Sequence, residues 1–343
     1  MRGDTEKFVL EVYQELQKTT YNYSYEEFAE EMEKSKLPIL AGKDLKGNLH
    51  VYDMVEHPHL LIAGETGSGK SVTLRSILTS LILHKRQGLE LYLADLKRSE
   101  FHVFRHIDIV KAVMTRKEDI YRCCVRLQKE MQERGDLLDA YEVAHIDDFN
   151  KLKDVEKKPY IVFCIDEFAL LKKEKEIMAI IEEISCIGRA LGVFLILSLQ
   201  RPDAKIMEGQ LKNNLTVRFA FQHSDKINSD ITLGRGTKED ASKLERPGQF
   251  YIKNVEITEL QAPFLDLEPA KELLEKIKIR KHQVNVNDEV IDIKADEVEE
   301  ETFADLLPPF EFNLLEVEDD EGKRQSDFER SQNVSGSFQG SAD

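Results

Sequence analysis

The stretch HLLIAGETGSGKSVTLRSIL, His59 to Leu78, constrains what this chain can fold into more than any other segment. Four apolar residues, Leu60–Ala63, lead into GETGSGKS, which fits G-x-x-x-x-G-K-[ST], and helical periodicity follows from Ser71 to His84. A buried strand, a glycine-rich turn and a helix in that order form a phosphate cradle. Gly67 and Gly69 let the backbone turn its N–H groups toward a β-phosphate, and the positive end of the next helix adds its field. The cradle is expected to comprise Gly64, Glu65, Thr66, Gly67, Ser68, Gly69, Lys70, Ser71 and Val72. Lys70 would reach the β- and γ-phosphates, and the Ser71 hydroxyl would ligate Mg²⁺.

Apolar runs continue to alternate with helical patterns beyond the cradle. Strands are expected at Glu90–Ala94, Tyr160–Ile165, Val193–Leu199 and Val217–Gln222, and helices at Arg116–Tyr141 and Glu176–Ala190. Strands that are apolar throughout belong inside a sheet covered on both faces, so the expected fold is α/β with a mostly parallel central sheet. Helical patterns at Lys7–Lys18 and Tyr25–Lys34 suggest a small helical N-terminal lobe over residues 1–36. The segment LPILAGKDLKGNLHVYDM reads as a hairpin opening a core over 37–266, and residues 267–343 read as a linker helix and tail.

The net charge of −17 argues at first against a nucleic-acid partner. Residues 291–343, however, hold 4 Lys+Arg and 16 Asp+Glu, a charge of −12, leaving −5 for the rest of the chain. That acidic tail, with its Ser/Gly/Gln-rich end, has the composition of a disordered segment. The cluster Phe303, Leu306, Leu307, Phe310, Phe312, Leu314 and Leu315 within it is a candidate docking motif for a protein partner. No apolar run approaches the roughly 20 residues needed to cross a bilayer, and the first residues do not read as a signal peptide. A cytoplasmic location without direct membrane insertion is therefore expected, with recruitment to a membrane left to a partner. Cys123, Cys124, Cys164 and Cys186 sit in apolar-periodic segments without metal-ligand spacing, and are expected to be reduced structural thiols.

The second half of a phosphate site should be an acid at the end of a buried strand, and PYIVFCIDEFALL supplies Asp166, suited to hold Mg²⁺. Glu167 beside it can orient and deprotonate a water aimed at the γ-phosphate, which is the equipment of an ATPase rather than of a small-molecule kinase. Gln200, ending the apolar strand of VFLILSLQRPD, is a candidate sensor of that phosphate or of the attacking water. No guanine-reading NKxD pattern occurs, so ATP is favoured over GTP.

Taken together, PHLLIAGETGSGKS, PYIVFCIDEFALL and IGRALGVFLILSLQRPDAKIMEGQLKNNLTVRFAFQHSDKINSDITLG resemble the motor domain of the FtsK/SpoIIIE family of DNA translocases. LPILAGKDLKGN, DLKRSEFHVF and RPGQFYI extend the resemblance over residues 37–262. It implies a RecA-like ATPase using ATP and Mg²⁺, assembled as a homo-oligomeric ring, usually a hexamer, around duplex DNA. It implies nucleotide roles for Lys70, Ser71, Asp166, Glu167 and Gln200. Arg189 would act as an arginine finger in the neighbouring subunit's site, and Arg201, Lys212 and Lys226 would be pore-facing, sequence-independent DNA contacts. A basic pore would reconcile DNA binding with an acidic chain, because phosphate contacts need local rather than net positive charge.

A membrane-spanning N-terminus and a winged-helix module, both found in chromosomal translocases of this family, are not legible here. The resemblance is therefore to a plasmid, phage, integrative-element or conjugative coupling motor. The alternatives are a type VII secretion-like ATPase moving protein, in which tandem ATPase domains would be expected, and a non-motor ATP-binding regulator.

Overall fold

The computed structural model describes residues 20–85, 88–202 and 209–278. The expected helix at Lys7–Lys18 and the acidic tail with its Phe/Leu cluster lie outside them.

One ten-stranded sheet organises these residues. Its strands are β1 (Pro38–Asp44), β2 (Leu49–Asp53), β3 (Leu60–Ala63), β4 (Leu89–Asp95), β5 (Val110–Met114), β6 (Tyr160–Asp166), β7 (Val193–Leu199), β8 (Val217–Phe221), β9 (Gln249–Lys253) and β10 (Ile257–Gln261), in the order β2-β1-β10-β9-β8-β3-β7-β6-β4-β5. The half from β8 to β5 is parallel. The half from β2 to β9, and its junction with β8, is antiparallel.

The helices are α1 (Tyr25–Met32), α2 (Lys70–His84), α3 (Lys117–Ala140), α4 (Ile146–Phe149), α5 (Lys175–Leu191), α6 (Gly209–Asn214), α7 (Lys226–Leu233) and α8 (Leu267–Glu275). Strand periodicity sorts the core into two layers. Leu60 and Ile62 of β3 join Leu74, Ile77, Leu78 and Leu81 of α2 and Leu274 of α8 on one face. Leu61 and Ala63 face the other way, with Cys124, Leu127 and Met131 of α3 and Ile177, Ile181 and Ile184 of α5. β3, β6 and β7 are thus buried on both sides, which is why their sequences carry no polar alternation. α2 is buried from Thr73 to Ile82 because it lies under the sheet and is covered in turn by α1 and α8.

α1 packs through Phe28 and Met32 onto Leu40 of β1. Just before it, the Tyr23 N–H donates to the Phe264 carbonyl at 2.9 Å, and the Phe264 N–H donates to the Tyr21 carbonyl at 2.8 Å. The two ends of the described chain are thereby laced together beside β10. Cys123, Cys124 and Cys164 are buried free thiols, and burial raises the pKa of each. Cys186 is likewise a free thiol, but it is exposed on α5, where it lies 3.3 Å from both the Gln210 and Asn214 side-chain amides.

Candidate active site

β3 delivers the chain to the phosphate cradle at the carboxyl edge of the parallel strands, where open α/β sheets bind ligands. The cradle is tied to both neighbouring strands. The Gly64 N–H donates to the Leu199 carbonyl at the end of β7 (3.2 Å), and the Glu65 N–H donates to the Gln222 carbonyl just past β8 (2.9 Å). Gly67 and Gly69 hold φ of +83° and +104°, conformations that L side chains rarely adopt. At Gly69 there is a second requirement. A Cβ there would meet the Gly248 nitrogen at 2.4 Å, because the RPGQF loop lies directly on the cradle and its Gly248 N–H donates to the Ser68 carbonyl at 2.8 Å.

A cavity of about 480 Å³ opens from the cradle. Its phosphate end is lined by Glu65–Gly67, Gly69–Thr73 and Gln200. The opposite wall is Pro247, Gly248 and Gln261–Phe264, with Thr20 from the segment ahead of α1. That apolar wall beside a polar cradle suits a flat heterocyclic base attached to phosphates.

Lys70, Asp166 and Glu167 are 6%, 4% and 5% exposed, so charged groups sit here with little water. Burial lowers the pKa of the Lys70 ammonium, opposed by Asp166 and Glu167. Burial likewise raises the pKa of the Asp166 carboxyl, opposed by Lys70, Lys97 and a hydrogen bond from Ser198. Burial thus outweighs the neighbouring charges at both Lys70 and Asp166, the state expected of a site completed by an anionic ligand and a cation.

Glu167 follows β6 with φ 58° and ψ 59°, left-handed backbone that is costly for a residue with a Cβ. The turn places its carboxylate between two donors. Lys97 Nζ lies 2.7 Å from Oε2, and the Gln200 N–H donates to Oε1 at 3.2 Å. Asp95, the register partner of Asp166 on β4, is a structural acid: its carboxylate accepts N–H bonds from Ser99, Glu100 and Phe101.

Most sequence-derived candidates converge. The cradle residues, Asp166, Glu167 and Gln200 all lie at the carboxyl ends of β3, β6 and β7. Arg189 does not join them: it is exposed near the end of α5, where Nε donates to the Val55 carbonyl at 3.1 Å, and α5 leads to the amino end of β7. Arg201 and Lys226 are exposed just past β7 and β8, the strands flanking β3. Lys226 pairs with Asp230 at 3.4 Å. Lys212 lies apart from those two, half-buried on α6 toward the amino end of β8. Sequence reasoning missed Lys97 and the wall contributed by Thr20, Pro247, Gly248 and Gln261–Phe264. Lys97 falls within DLKRSEFHVF, and only the strand pairing shows that this segment borders Glu167.

Among the described residues, no group of three His, Cys, Asp or Glu side chains converges on a candidate metal position. Asp166 with the Ser71 hydroxyl still fits Mg²⁺, which needs few protein oxygens when phosphates and water supply the rest. No helix of the described residues is long and apolar enough to cross a membrane.

The FtsK/SpoIIIE family profile matches residues 24–204. The DNA translocase FtsK of Helicobacter pylori is 33% identical over 256 residues, covering 72% of this chain and 30% of the relative. That of Borreliella burgdorferi is 32% identical over 287 residues, covering 80% and 36%. The chain thus spans about a third of the length of these curated relatives. Among solved structures, the pCW3 conjugation coupling protein TcpA, in a monomer form with ATPγS, superposes with a TM-score of 0.65 at 28% identity, covering 76% of this chain and 74% of that one. The cytoplasmic domain of the Thermomonospora curvata type VII secretion ATPase EccC gives 0.64 at 25%, covering 71% and 31%.

Proposed function

The chain belongs to the FtsK/SpoIIIE family, and from that premise we propose that it is an ATP-hydrolysing motor that moves DNA, with residues 37–266 as its motor. The observation that carries this reading is the buried Glu167 carboxylate beside Asp166, held at the edge of a phosphate cradle by the N–H of cavity-lining Gln200. A site built only to bind nucleotide has no need of it.

In this reading the cradle N–H groups and Lys70 hold the phosphates, and Gln200 meets the γ-phosphate or the attacking water. Glu167 takes the water's proton as its oxygen bonds to the γ-phosphorus and the bond to the bridging oxygen breaks, leaving ADP and phosphate. Asp166 and Ser71 would hold Mg²⁺, which neutralises phosphate charge when bound. Arg189 lies toward the opposite edge of the sheet from its own cradle, which favours a role in a neighbour's site and hence a homo-oligomeric ring, proposed as a hexamer. Arg201, Lys212 and Lys226 are proposed to touch duplex phosphates without reading sequence, and the relatives named as DNA translocases and a conjugation coupling protein support DNA as cargo. The likeness to EccC supports the second reading, protein as cargo.

ATP hydrolysis measured with duplex, single-stranded and no DNA separates these. Duplex of any sequence is expected to stimulate turnover, and each of Arg201→Ala, Lys212→Ala and Lys226→Ala should flatten the salt dependence of DNA binding by about 1 in log–log slope. Hydrolysis indifferent to DNA would transfer the assignment to the protein-moving reading.

A further inference from the structure

We propose that Lys97 is a positioning residue for hydrolysis: through its ion pair it aims the Glu167 carboxylate so that one oxygen is presented to the attacking water. The proposal rests on the ATPase reading above and names a residue to which that reading gives no role.

The geometry distinguishes the two oxygens of Glu167. Oε2 is bound by Lys97 Nζ at 2.7 Å, and Oε1 faces Gln200, accepting its N–H at 3.2 Å. Gln200 lines the cavity. The oxygen on the side of cavity-lining Gln200, Oε1, is the one assigned to the attacking water: the Gln200 N–H occupies one of its two lone pairs, leaving the other to receive a proton. With only 5% of Glu167 exposed, water supplies little restoring force on the carboxylate, so the ammonium on Oε2 sets its rotation.

Lys97 is also held unlike an ordinary surface lysine. The loop carrying it is bound at its start by Asp95, whose carboxylate accepts the N–H groups of Ser99, Glu100 and Phe101 at 3.2, 3.0 and 3.0 Å. Arg98, next to Lys97, takes the left-handed backbone (φ 59°) that lets the loop close this tightly. At its far end Glu100 accepts from Arg75 of α2 at 2.6 Å, and Arg75 also donates to the Leu265 carbonyl at 2.8 Å. The Lys97 backbone is thereby fixed to the cradle helix and to the segment that continues the cavity wall.

Lys70 also interacts with Glu167, but the cradle commits Lys70 to the phosphates once nucleotide binds. Lys97 then remains as the dedicated partner of Glu167, sparing it the cost of a buried, unpaired carboxylate. A group acting this way changes the chemical step and leaves nucleotide affinity alone.

The test compares Lys97→Met, Lys97→Gln, Lys97→Arg, Glu167→Gln and Lys97→Met/Glu167→Gln in the full chain, with kcat, KM and ATPγS affinity as readouts and thermal melts as the folding check. Removing the ammonium, in either the Met or the Gln variant, is expected to lower kcat roughly 10–100-fold while ATPγS affinity holds, the size of loss seen for a misplaced catalytic group. Lys97→Arg should recover most of the rate. The decisive arm is the double variant, which should turn over no more slowly than Glu167→Gln alone, because Lys97 acts through Glu167. A further loss in the double variant, an equal loss of ATPγS affinity, or wild-type kcat in Lys97→Met and Lys97→Gln would each overturn the proposal. A wild-type chain that hydrolyses no ATP would instead bring down the ATPase reading itself, and this proposal with it.

Discussion

Glu167→Gln protein is expected to bind ATP as the wild type does and to hydrolyse it at least about 10²-fold more slowly, the usual contribution of a positioned general base. The amide keeps the size of the side chain and an oxygen able to accept the Gln200 N–H, so the left-handed turn after β6 and the cavity should persist. What it loses is the capacity to take a proton. Its NH₂ would also face either Lys97 or Gln200, both donors in the present structure, so a loss of a few degrees in melting temperature is consistent with the account. Single-turnover hydrolysis alongside ATPγS titration checks both halves. Turnover near the wild-type rate would remove Glu167 from the mechanism, and weakened ATPγS binding with unchanged turnover would make it a binding residue.

Gly69→Ala should be equally damaging by a different route. Its added Cβ would stand 2.4 Å from the Gly248 nitrogen and 2.7 Å from Gly248 Cα, both backbone atoms that no side-chain rotation can move aside. Either the RPGQF loop lifts from the cradle, breaking the Gly248-to-Ser68 hydrogen bond, or the cradle flattens and its N–H groups cease to converge. Nucleotide affinity is expected to fall at least about 10²-fold, or about 2.7 kcal/mol, in line with backbone strain of a few kcal/mol at a non-glycine residue held there. Gly67→Ala is the matched control, since φ there is also positive but nothing lies within 4 Å of the added carbon. Calorimetric titration with ATPγS should find Gly69→Ala much the weaker of the two. Equal losses in both would show that the clash with Gly248 is relieved without consequence.

The strands read most accurately from sequence are those buried on both faces, where composition records burial directly. β3 and β7 have the expected ends, β6 and β8 differ by one residue at one end, and β4 is longer by one residue at each end. β5, β9 and β10 escaped notice for the complementary reason. VKAVM, QFYIK and ITELQ are only partly buried, two of them with charged residues inside, and no continuous apolar run marks them. The antiparallel half of the sheet is held by pairings such as Thr258 with Ile252, legible only once the strands are placed side by side.

The site divides along the same line. Lys70, Ser71, Asp166, Glu167 and Gln200 announce themselves by chemistry at strand ends. A lysine two residues after an acid, by contrast, looks like any solvated charge until the register of β4 on β6 sets Asp95 beside Asp166 and brings Lys97 to Glu167. The wall from Thr20 to Phe264 joins residues more than 240 positions apart, and no local pattern encodes that contact. Cys186 is the free thiol expected, and its exposure has a simple reason: its helix is amphipathic, and the thiol lies on the exposed side of a stripe whose buried members are Ile177, Ile180, Ile181 and Ile184.

The most direct test of the claim that this chain is a DNA motor is displacement of a fluorescent third strand from a triplex set at one end of a long duplex, followed in real time on addition of ATP. ATP-dependent release by the wild-type chain is expected, with a lag that lengthens with the distance from the free duplex end, and none by Glu167→Gln protein bound to the same DNA. Release that needs no hydrolysis, or duplex-stimulated ATP turnover with the third strand left in place at every length, would contradict that claim.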